Sequence, residues 1–138
     1  MIWPNIATTL IAGAALSFLL WKYHPVEWTA MPITGLCLLA AGFLLWTAAR
    51  FQLGKSLAVT AQAKQLVTRG LYSKIRNPIY VFASVAIAGL ILVLGRPVWL
   101  LIFVVGIPVQ MWRARVEARV LEAKFGEQYR RYRTSTWF

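Results

Sequence analysis

Long runs of apolar residues alternate with short polar segments along the chain. Four runs carry no charged residue, and they cover residues 1–21, 28–49, 77–95 and 97–112. A membrane-spanning helix needs about 20 apolar residues, with about 17 as the lower edge. The first two runs exceed that edge comfortably, the third just does, and the fourth is marginal at 16 residues. Because backbone polar groups must be satisfied internally in lipid, the pattern predicts a helix for every run.

The predicted fold class is all-α, an integral membrane bundle of about four transmembrane helices in a single domain of residues 1–138. We expect the spans at about residues 2–21, 29–49, 78–94 and 97–112. The polar segments, residues 50–77 and 113–138, should lie on the cytoplasmic side, the first as an amphipathic interfacial segment and the second with a C-terminal helix.

Composition supports this interpretation. Hydrophobic residues make up 59% of the chain and charged residues 14%, and the mean hydropathy is +0.62. These values are too apolar for a water-soluble protein of 138 residues. A cleaved signal peptide is the alternative for the first run, but no basic residue precedes Ile2 and no small-residue cleavage pattern precedes Lys22. We therefore expect the first run to be a retained span.

The distribution of basic residues predicts the orientation. The chain has 15 lysine and arginine residues against 4 acidic ones, and its net charge is +11. All but Lys22 and Arg96 lie in the two polar segments, at Arg50, Lys55, Lys64, Arg69, Lys74, Arg76, Arg113, Arg115, Arg119, Lys124, Arg130, Arg131 and Arg133. The positive-inside rule places both segments and both termini in the cytoplasm, in a plasma membrane of prokaryotic type. This distribution argues for membrane topology and against nucleic-acid binding.

The first polar segment leads into the third run. Apolar residues alternate with basic and hydroxyl residues up to Gly70, where glycine interrupts the pattern. Asn77 and Pro78 then form a helix start signal, with asparagine as N-cap and proline at the first helical position. By spacing alone, a well-capped membrane helix with an interfacial Tyr80 is the simpler interpretation, and a polar site at the membrane boundary is the alternative.

The second polar segment continues the fourth run. Its residues recur at three- and four-residue spacing on one side of a helix, which Gly126 interrupts, at positions Glu117, Leu121, Lys124 or Phe125, Gln128 and Tyr132. Glu117 lies five residues beyond Trp112, the last residue of the charge-free run. It is either one half of a local ion pair with Arg113 or Arg115, or a carboxylate that accepts hydrogen bonds from a ribose diol or an ammonium group. The spacing leaves both interpretations open.

Several kinds of chemistry are excluded. The chain has no aspartate and a single histidine, His24, on the predicted non-cytoplasmic side, so neither a Ser-His-Asp triad nor a histidine-rich metal site can be built. No phosphate-binding or dinucleotide-binding glycine motif is present. Catalysis here would depend on binding and orienting a reactive cofactor beside a lipid-soluble substrate.

Two motifs resemble a known enzyme family. Residues 66–72 and 76–80, LVTRGLY and RNPIY, resemble the GPY…RHPxY signature of the isoprenylcysteine carboxyl methyltransferase and phospholipid methyltransferase superfamily. Residues 117–121 and 125–132, EARVL and FGEQYRRY, resemble its second signature, EExxL…FGxxYxxY. The similarity runs from about Thr60 to the C-terminus, and a predicted helical hairpin separates the two motifs, as in that family.

The resemblance implies an S-adenosylmethionine-dependent methyltransferase. Its cofactor would lie at the cytoplasmic membrane face, without a metal, and it would be bound by Gly70, Leu71, Tyr72, Asn77, Pro78, Tyr80, Glu117, Tyr129 and Tyr132. The catalytic residues would be Arg76, Asn77 and Glu117. The acceptor would be lipophilic, such as a prenylcysteine-like carboxylate, a lipid amine or another small hydrophobic molecule, and it would reach the site laterally between the helices. Methyl transfer from the sulfonium would be in-line.

This chain departs from the family pattern at several positions. Asn77 replaces the commoner histidine, Leu71 replaces proline, and Ala118 replaces the second glutamate of the pair. The tail, residues 134–138, lacks the usual proline. These departures bear on the predicted identity of the acceptor more than on that of the cofactor. Two alternatives are a membrane reductase of the sterol-reductase type that uses NADPH, and a non-catalytic membrane scaffold with the same fold.

Overall fold

The computed structural model describes residues 3–53 and 68–137. All regular secondary structure in these ranges is helical. The helices are α1 (Trp3–Tyr23), α2 (Ala30–Leu53), α3 (Pro78–Val93), α4 (Ile102–Phe125) and α5 (Glu127–Ser135). Two 3₁₀ turns, Gly70–Ser73 and Pro97–Leu101, precede α3 and α4. The all-α prediction is confirmed. The predicted interfacial segment falls largely on residues 54–67, which lie outside the described residues.

Three helical stretches of the described chain are long and apolar enough to cross a membrane, namely α1, α2 and Pro97–Phe125, which joins the second 3₁₀ turn to α4. Helix α3 is apolar but has only 16 residues, which is less than a typical span. The predicted count of four spans therefore depends on α3. Pro97 begins a 3₁₀ turn, and α4 follows it and continues well past the charge-free run.

Among the described helices, α2 and α3 make the most extensive contact. Glycines at their interface allow the two backbones to approach closely. A Cβ atom added at Gly35 would lie 2.6 Å from the carbonyl oxygen of Gly89, and one added at Gly42 would lie 2.5 Å from the backbone nitrogen of Ala86. A Cβ atom on Gly89 would overlap the backbone nitrogen of Leu39. Without a hydrophobic driving force in lipid, such close backbone approach is a main source of helix association.

Helices α3 and α4 run antiparallel. Gly95, with φ of 68°, and Pro97 form the connection of this hairpin. Two side-chain hydrogen bonds join the helices, one from Tyr80 to Glu117 and one of 3.1 Å from Ser84 Oγ to Gln110 Oε1. The side of α4 away from these bonds is apolar and exposed, as expected for a lipid-facing surface, with Val104, Val105, Ile107, Val109 and Met111.

The C-terminal helix folds back toward the segment before α3. Gly126, with φ of 55°, separates α4 from α5, as the predicted interruption requires. Two hydrogen bonds then join the C-terminal end to the first polar segment. The Tyr132 hydroxyl donates to the backbone oxygen of Tyr72 at 2.7 Å, and the Trp137 backbone N–H donates to that of Lys74 at 2.8 Å. The chain therefore brings its two polar segments together.

Candidate functional site

The 3₁₀ turn Gly70–Ser73 sits on the end of α2. The Leu71 N–H donates to Gln52 Oε1 at 2.8 Å, and the Ser73 hydroxyl closes the turn on the Gly70 oxygen at 2.6 Å. Gly70 has φ of 60°, and a Cβ atom there would lie 2.7 Å from Gln52 Cδ. The backbone conformation therefore favours glycine at this position, and a Cβ atom would also displace the Gln52 side chain. Leu71 contributes its backbone to the turn, while its side chain packs beside Tyr72.

Tyr72 is the buried centre of the first motif. Its ring packs against the fully buried Ala49, with Leu53, Leu71 and Ile79 around them. The Tyr72 hydroxyl is buried and has no hydrogen-bond partner among the described residues. Burial raises the pKa of this hydroxyl, and the nearby Tyr132 and Glu117 raise it further. The group therefore stays protonated and can donate a hydrogen bond to a ligand.

Arg76, Asn77 and Pro78 form the entrance to α3. Pro78 occupies the first turn and is fully buried, so it shapes the helix start. Asn77 holds the N-cap position, but its side chain makes no capping hydrogen bond, contrary to a simple capping role. The physical reason is its backbone, whose ψ of 59° is far from the extended values that direct an N-cap side chain at the helix. The Arg76 Nε is buried and has no partner among the described residues.

Tyr80 and Glu117 connect the two motifs directly. The Tyr80 hydroxyl donates a hydrogen bond to Glu117 Oε1. The Arg113 guanidinium lies over the Tyr80 ring, 5.6 Å from its centroid. Among the described residues, the ion pairs of acidic side chains involve Glu122 and Glu127, which contact arginines of α5. The contact of Glu117 is thus a tyrosine on another helix, and the local ion pair of the simpler interpretation is not formed.

The environment of Glu117 alters its titration. Burial raises the pKa of the Glu117 carboxyl above its usual range, while the Tyr80 hydrogen bond and Arg113 oppose the rise. The carboxyl group lies beyond the charge-free part of α4, five residues after Trp112. A half-buried carboxylate with one hydrogen-bond donor already in place can accept further hydrogen bonds from a bound ligand.

Tyr129 and Tyr132 of α5 cover the first motif. Both side chains are buried, and their rings are 6.1 Å apart and tilted. Burial raises the pKa of Tyr132 to about 12, with Tyr129 adding to the rise and Arg76 opposing it. Tyr132 therefore remains a donor to the Tyr72 backbone oxygen at any physiological pH. Tyr132 thus joins α5 to the segment that contains Tyr72 and Arg76, and the Tyr129 ring packs beside it.

Replacing Tyr132 with phenylalanine should destabilise the protein by about 1–3 kcal/mol, because the buried Tyr72 carbonyl would lose its donor. The matched control is Tyr23→Phe, since Tyr23 is 53% exposed. Thermal unfolding in detergent, followed by circular dichroism, would measure both variants. Equal unfolding midpoints for the two would contradict a stabilising role for this hydrogen bond.

The structure brings the predicted site residues into one cluster at the same end of α2, α3 and α4, with α5 across it. Sequence reasoning missed several residues of this cluster. Gln52 supports the Gly70 turn, Arg113 stacks on Tyr80, and Arg50 follows Ala49, which packs against Tyr72. Arg50 appeared in the sequence only as an orienting charge, and Arg113 appeared only as an orienting charge and a possible ion-pair partner of Glu117.

The cluster combines donors and one acceptor rather than nucleophiles. Arg76 and Tyr72 present buried donors, and Glu117 presents an acceptor. The part of the chain that the structure describes holds no group of three or more His, Cys, Asp or Glu residues that could hold a metal ion. Such an arrangement can bind a polar ligand of mixed charge, but it provides no obvious covalent chemistry of its own.

The long apolar helices of the described chain indicate an integral membrane protein. Residues 30–128 match the family model of the phospholipid methyltransferases, and this match covers more than half of the chain. The protein therefore belongs to the phospholipid methyltransferase family, as the two motifs predict. Neither a curated protein nor a solved structure matches the chain significantly. The match begins at α2 and leaves out α1, Tyr129 and Tyr132.

Proposed function

We propose that the protein transfers a methyl group from S-adenosylmethionine to a lipophilic acceptor at the cytoplasmic face of the membrane. The hydrogen bond between Tyr80 and Glu117 carries this proposal, since it joins the two family motifs within one polar cluster. Membership of a methyltransferase family supports the reaction class. The basic residues that flank the cluster support the cytoplasmic location, because cytoplasmic segments carry the excess of lysine and arginine.

The residues of the cluster fit the proposed cofactor. S-adenosylmethionine supplies a methyl group on a positively charged sulfur, next to a ribose diol and an amino-acid group. Glu117 is suited to accept hydrogen bonds from a diol or an ammonium group. The buried hydroxyl of Tyr72 and the buried Nε of Arg76 are donors without a hydrogen-bond partner in the described part of the chain. Buried donors are nearly always paired in native proteins, so these two favour a polar ligand in this cluster.

In this proposal the protein holds the reactants in position and excludes water from the site. Asn77, whose side chain is not used in capping, would orient polar groups of the reactants together with Arg76 and Glu117. Tyr129 and Tyr132 would exclude water from the first motif. Holding two reactants in a near-attack arrangement contributes roughly 7–11 kcal/mol to lowering a barrier in favourable cases. Pro78 is fully buried and would act through the shape of the α3 start.

Cofactor binding tests the proposal directly. The purified full-length protein should be stabilised in thermal unfolding by S-adenosylhomocysteine, because a ligand that binds only the folded state raises the unfolding midpoint. NADPH at the same concentration should have no effect. Stabilisation by NADPH alone would contradict the proposal and favour a reductase, and stabilisation by neither compound would favour a non-catalytic protein.

The acceptor should approach through the bilayer. The described part of the chain consists of helices and short connections, with little structure that could capture a soluble substrate from water. Side-chain hydrogen bonds join α3 to α4, so the polar site lies between helices. We expect methylation to fall steeply as the alkyl or prenyl chain of a candidate acceptor is shortened, because each buried CH₂ contributes about 0.8 kcal/mol. Methyl transfer assays with an acceptor series would measure this. Equal rates with water-soluble analogues would contradict lateral access.

A further inference from the structure

Several buried polar side-chain atoms of α1, α2 and the first motif have no hydrogen-bond partner. Among the described residues these atoms are Thr9 Oγ1, Thr47 Oγ1, Arg50 Nε, Tyr72 Oη and Arg76 Nε. Native proteins leave few such atoms unsatisfied, so each needs an explanation. The two guanidinium Nε atoms can only donate, and the three hydroxyls can donate through rotation. All five atoms can therefore donate a hydrogen bond.

The Arg50 guanidinium is held in place by its neighbours. Its Nη2 donates to Asn5 Oδ1 at 3.4 Å, and the Asn5 side-chain amide donates in return to the Arg50 backbone oxygen at 3.4 Å. Asn5 is 4% exposed, which is rare for asparagine on an otherwise lipid-facing helix. The guanidinium also lies over the Trp46 ring, 4.8 Å from its centroid. These contacts fix the group without using its Nε–H donor.

Arg50 belongs to the surroundings of Tyr72. The preceding residue, Ala49, is fully buried against the Tyr72 ring. Tyr72 is only 5% exposed, yet its hydroxyl has no partner among the described residues. Gln52, two residues after Arg50, accepts the N–H of Leu71, the residue before Tyr72, at 2.8 Å. The end of α2 that contains Arg50 therefore packs on the turn that contains Tyr72. Burial raises the pKa of Tyr72, Glu117 adds to the rise, and Arg50 opposes it.

We propose that Arg50 and Tyr72 form a subsite for an anionic oxygen group, a carboxylate or a phosphate, on a ligand of this cluster. A guanidinium and a hydroxyl are well suited to such oxygens, and a fixed guanidinium loses little freedom on binding. Glu117 would repel an anion, so the negative end of the ligand lies toward Arg50. This proposal rests on the proposed function, which supplies two sources of the anionic oxygen group. One is the amino-acid carboxylate of the cofactor, and the other is the phosphate of a phospholipid.

Two matched pairs of probes distinguish these sources. The first pair is S-adenosylhomocysteine and 5′-methylthioadenosine, which shares the nucleoside thioether and lacks the amino-acid group. The second pair is a short-chain phosphatidylglycerol and the corresponding diacylglycerol. Dissociation constants would be measured for the full-length protein in a neutral sugar detergent. The variant is Arg50→Gln, and the control is Arg119→Gln, which changes an exposed arginine of α4.

We expect Arg50→Gln to weaken binding of one charged probe about tenfold or more while its uncharged counterpart binds as before. Selective loss of S-adenosylhomocysteine assigns the carboxylate, and selective loss of phosphatidylglycerol assigns the phosphate. Unchanged affinities for all probes, or equal losses within both pairs, would overturn the subsite. A wild-type protein that binds no S-adenosylhomocysteine would contradict the proposed function, and the lipid pair would then decide the subsite alone.

Two further variants keep the test decisive if Arg50→Gln fails to fold. Tyr72→Phe removes a hydroxyl that has no hydrogen-bond partner within residues 3–53 and 68–137, so the fold should persist while the same charged probe loses affinity. Asn5→Ala removes the residue that positions Arg50, and it should give a smaller loss with the same selectivity. Normal discrimination within both probe pairs in Tyr72→Phe would overturn the subsite as well.

Discussion

Replacing Gly89 with leucine should disrupt the packing of α2 against α3 and strongly destabilise the folded protein. A Cβ atom at this position would meet backbone atoms of Gly35, Leu38 and Leu39, and backbone cannot rotate aside as a side chain can. Overpacking of ordinary cores costs about 1–3 kcal/mol. The cost here should exceed that range, because the helices themselves must move apart.

Gly106→Leu is the matched control for this experiment, since a Cβ atom at Gly106 meets nothing within 4 Å. Circular dichroism in detergent should show a large decrease in the unfolding midpoint for Gly89→Leu. The midpoint of Gly106→Leu should stay near that of the wild type. Similar midpoints for the two variants would show that the close approach of α2 and α3 does not stabilise the fold.

Glu117→Gln should weaken S-adenosylhomocysteine binding about ten- to a hundredfold while the protein remains folded. Glutamine keeps the shape of the side chain but removes the charge, and a hydrogen bond to a charged group contributes about 1.5–3 kcal/mol. The matched control is Glu127→Gln, because Glu127 is exposed and its ion pairs among the described residues are with Arg130 and Arg131. Isothermal titration would measure the affinity of both variants for S-adenosylhomocysteine. Equal affinities of the two variants would assign Glu117 a structural role.

The same carboxyl group predicts a pH dependence. If the ionised form of Glu117 accepts hydrogen bonds from the ligand, affinity must fall when the pH drops through its pKa and the group binds a proton. Burial raises that pKa, so the loss should begin at a higher pH than for an ordinary glutamate. Glu117→Gln should bind with little change over the same pH range. An identical pH profile in the variant would assign the effect to another group.

Much of the fold follows from the distribution of charge along the sequence. The charge-free runs predict the helices, and the glycines at Gly95 and Gly126 mark where the chain turns. The ends of the helices are harder to predict, since α2 continues past Arg50 to Leu53. A charged residue ends a hydrophobic run in the sequence, but in the structure Asn5 and Trp46 hold this arginine within the helix.

The site could be predicted in part. The motifs identify the two segments that meet, because family resemblance carries information about distant contacts. Spacing alone could not decide the partner of Glu117, since Tyr80 precedes it by 37 residues on another helix. It also assigned a capping role to the Asn77 side chain, which depends on a backbone angle that the residue type does not determine. The roles of the site residues in binding and catalysis stay predictions.

The attachment of the C-terminal end has a consequence for how this protein can diversify. Tyr132 and Trp137 hydrogen-bond to the main-chain oxygens of Tyr72 and Lys74, and those oxygens are present whatever side chains occupy the two positions. Substitutions of the side chains at residues 72 and 74 therefore leave both hydrogen-bond acceptors in place. Selection or laboratory evolution can thus vary these two side chains while the C-terminal end keeps its main-chain attachment.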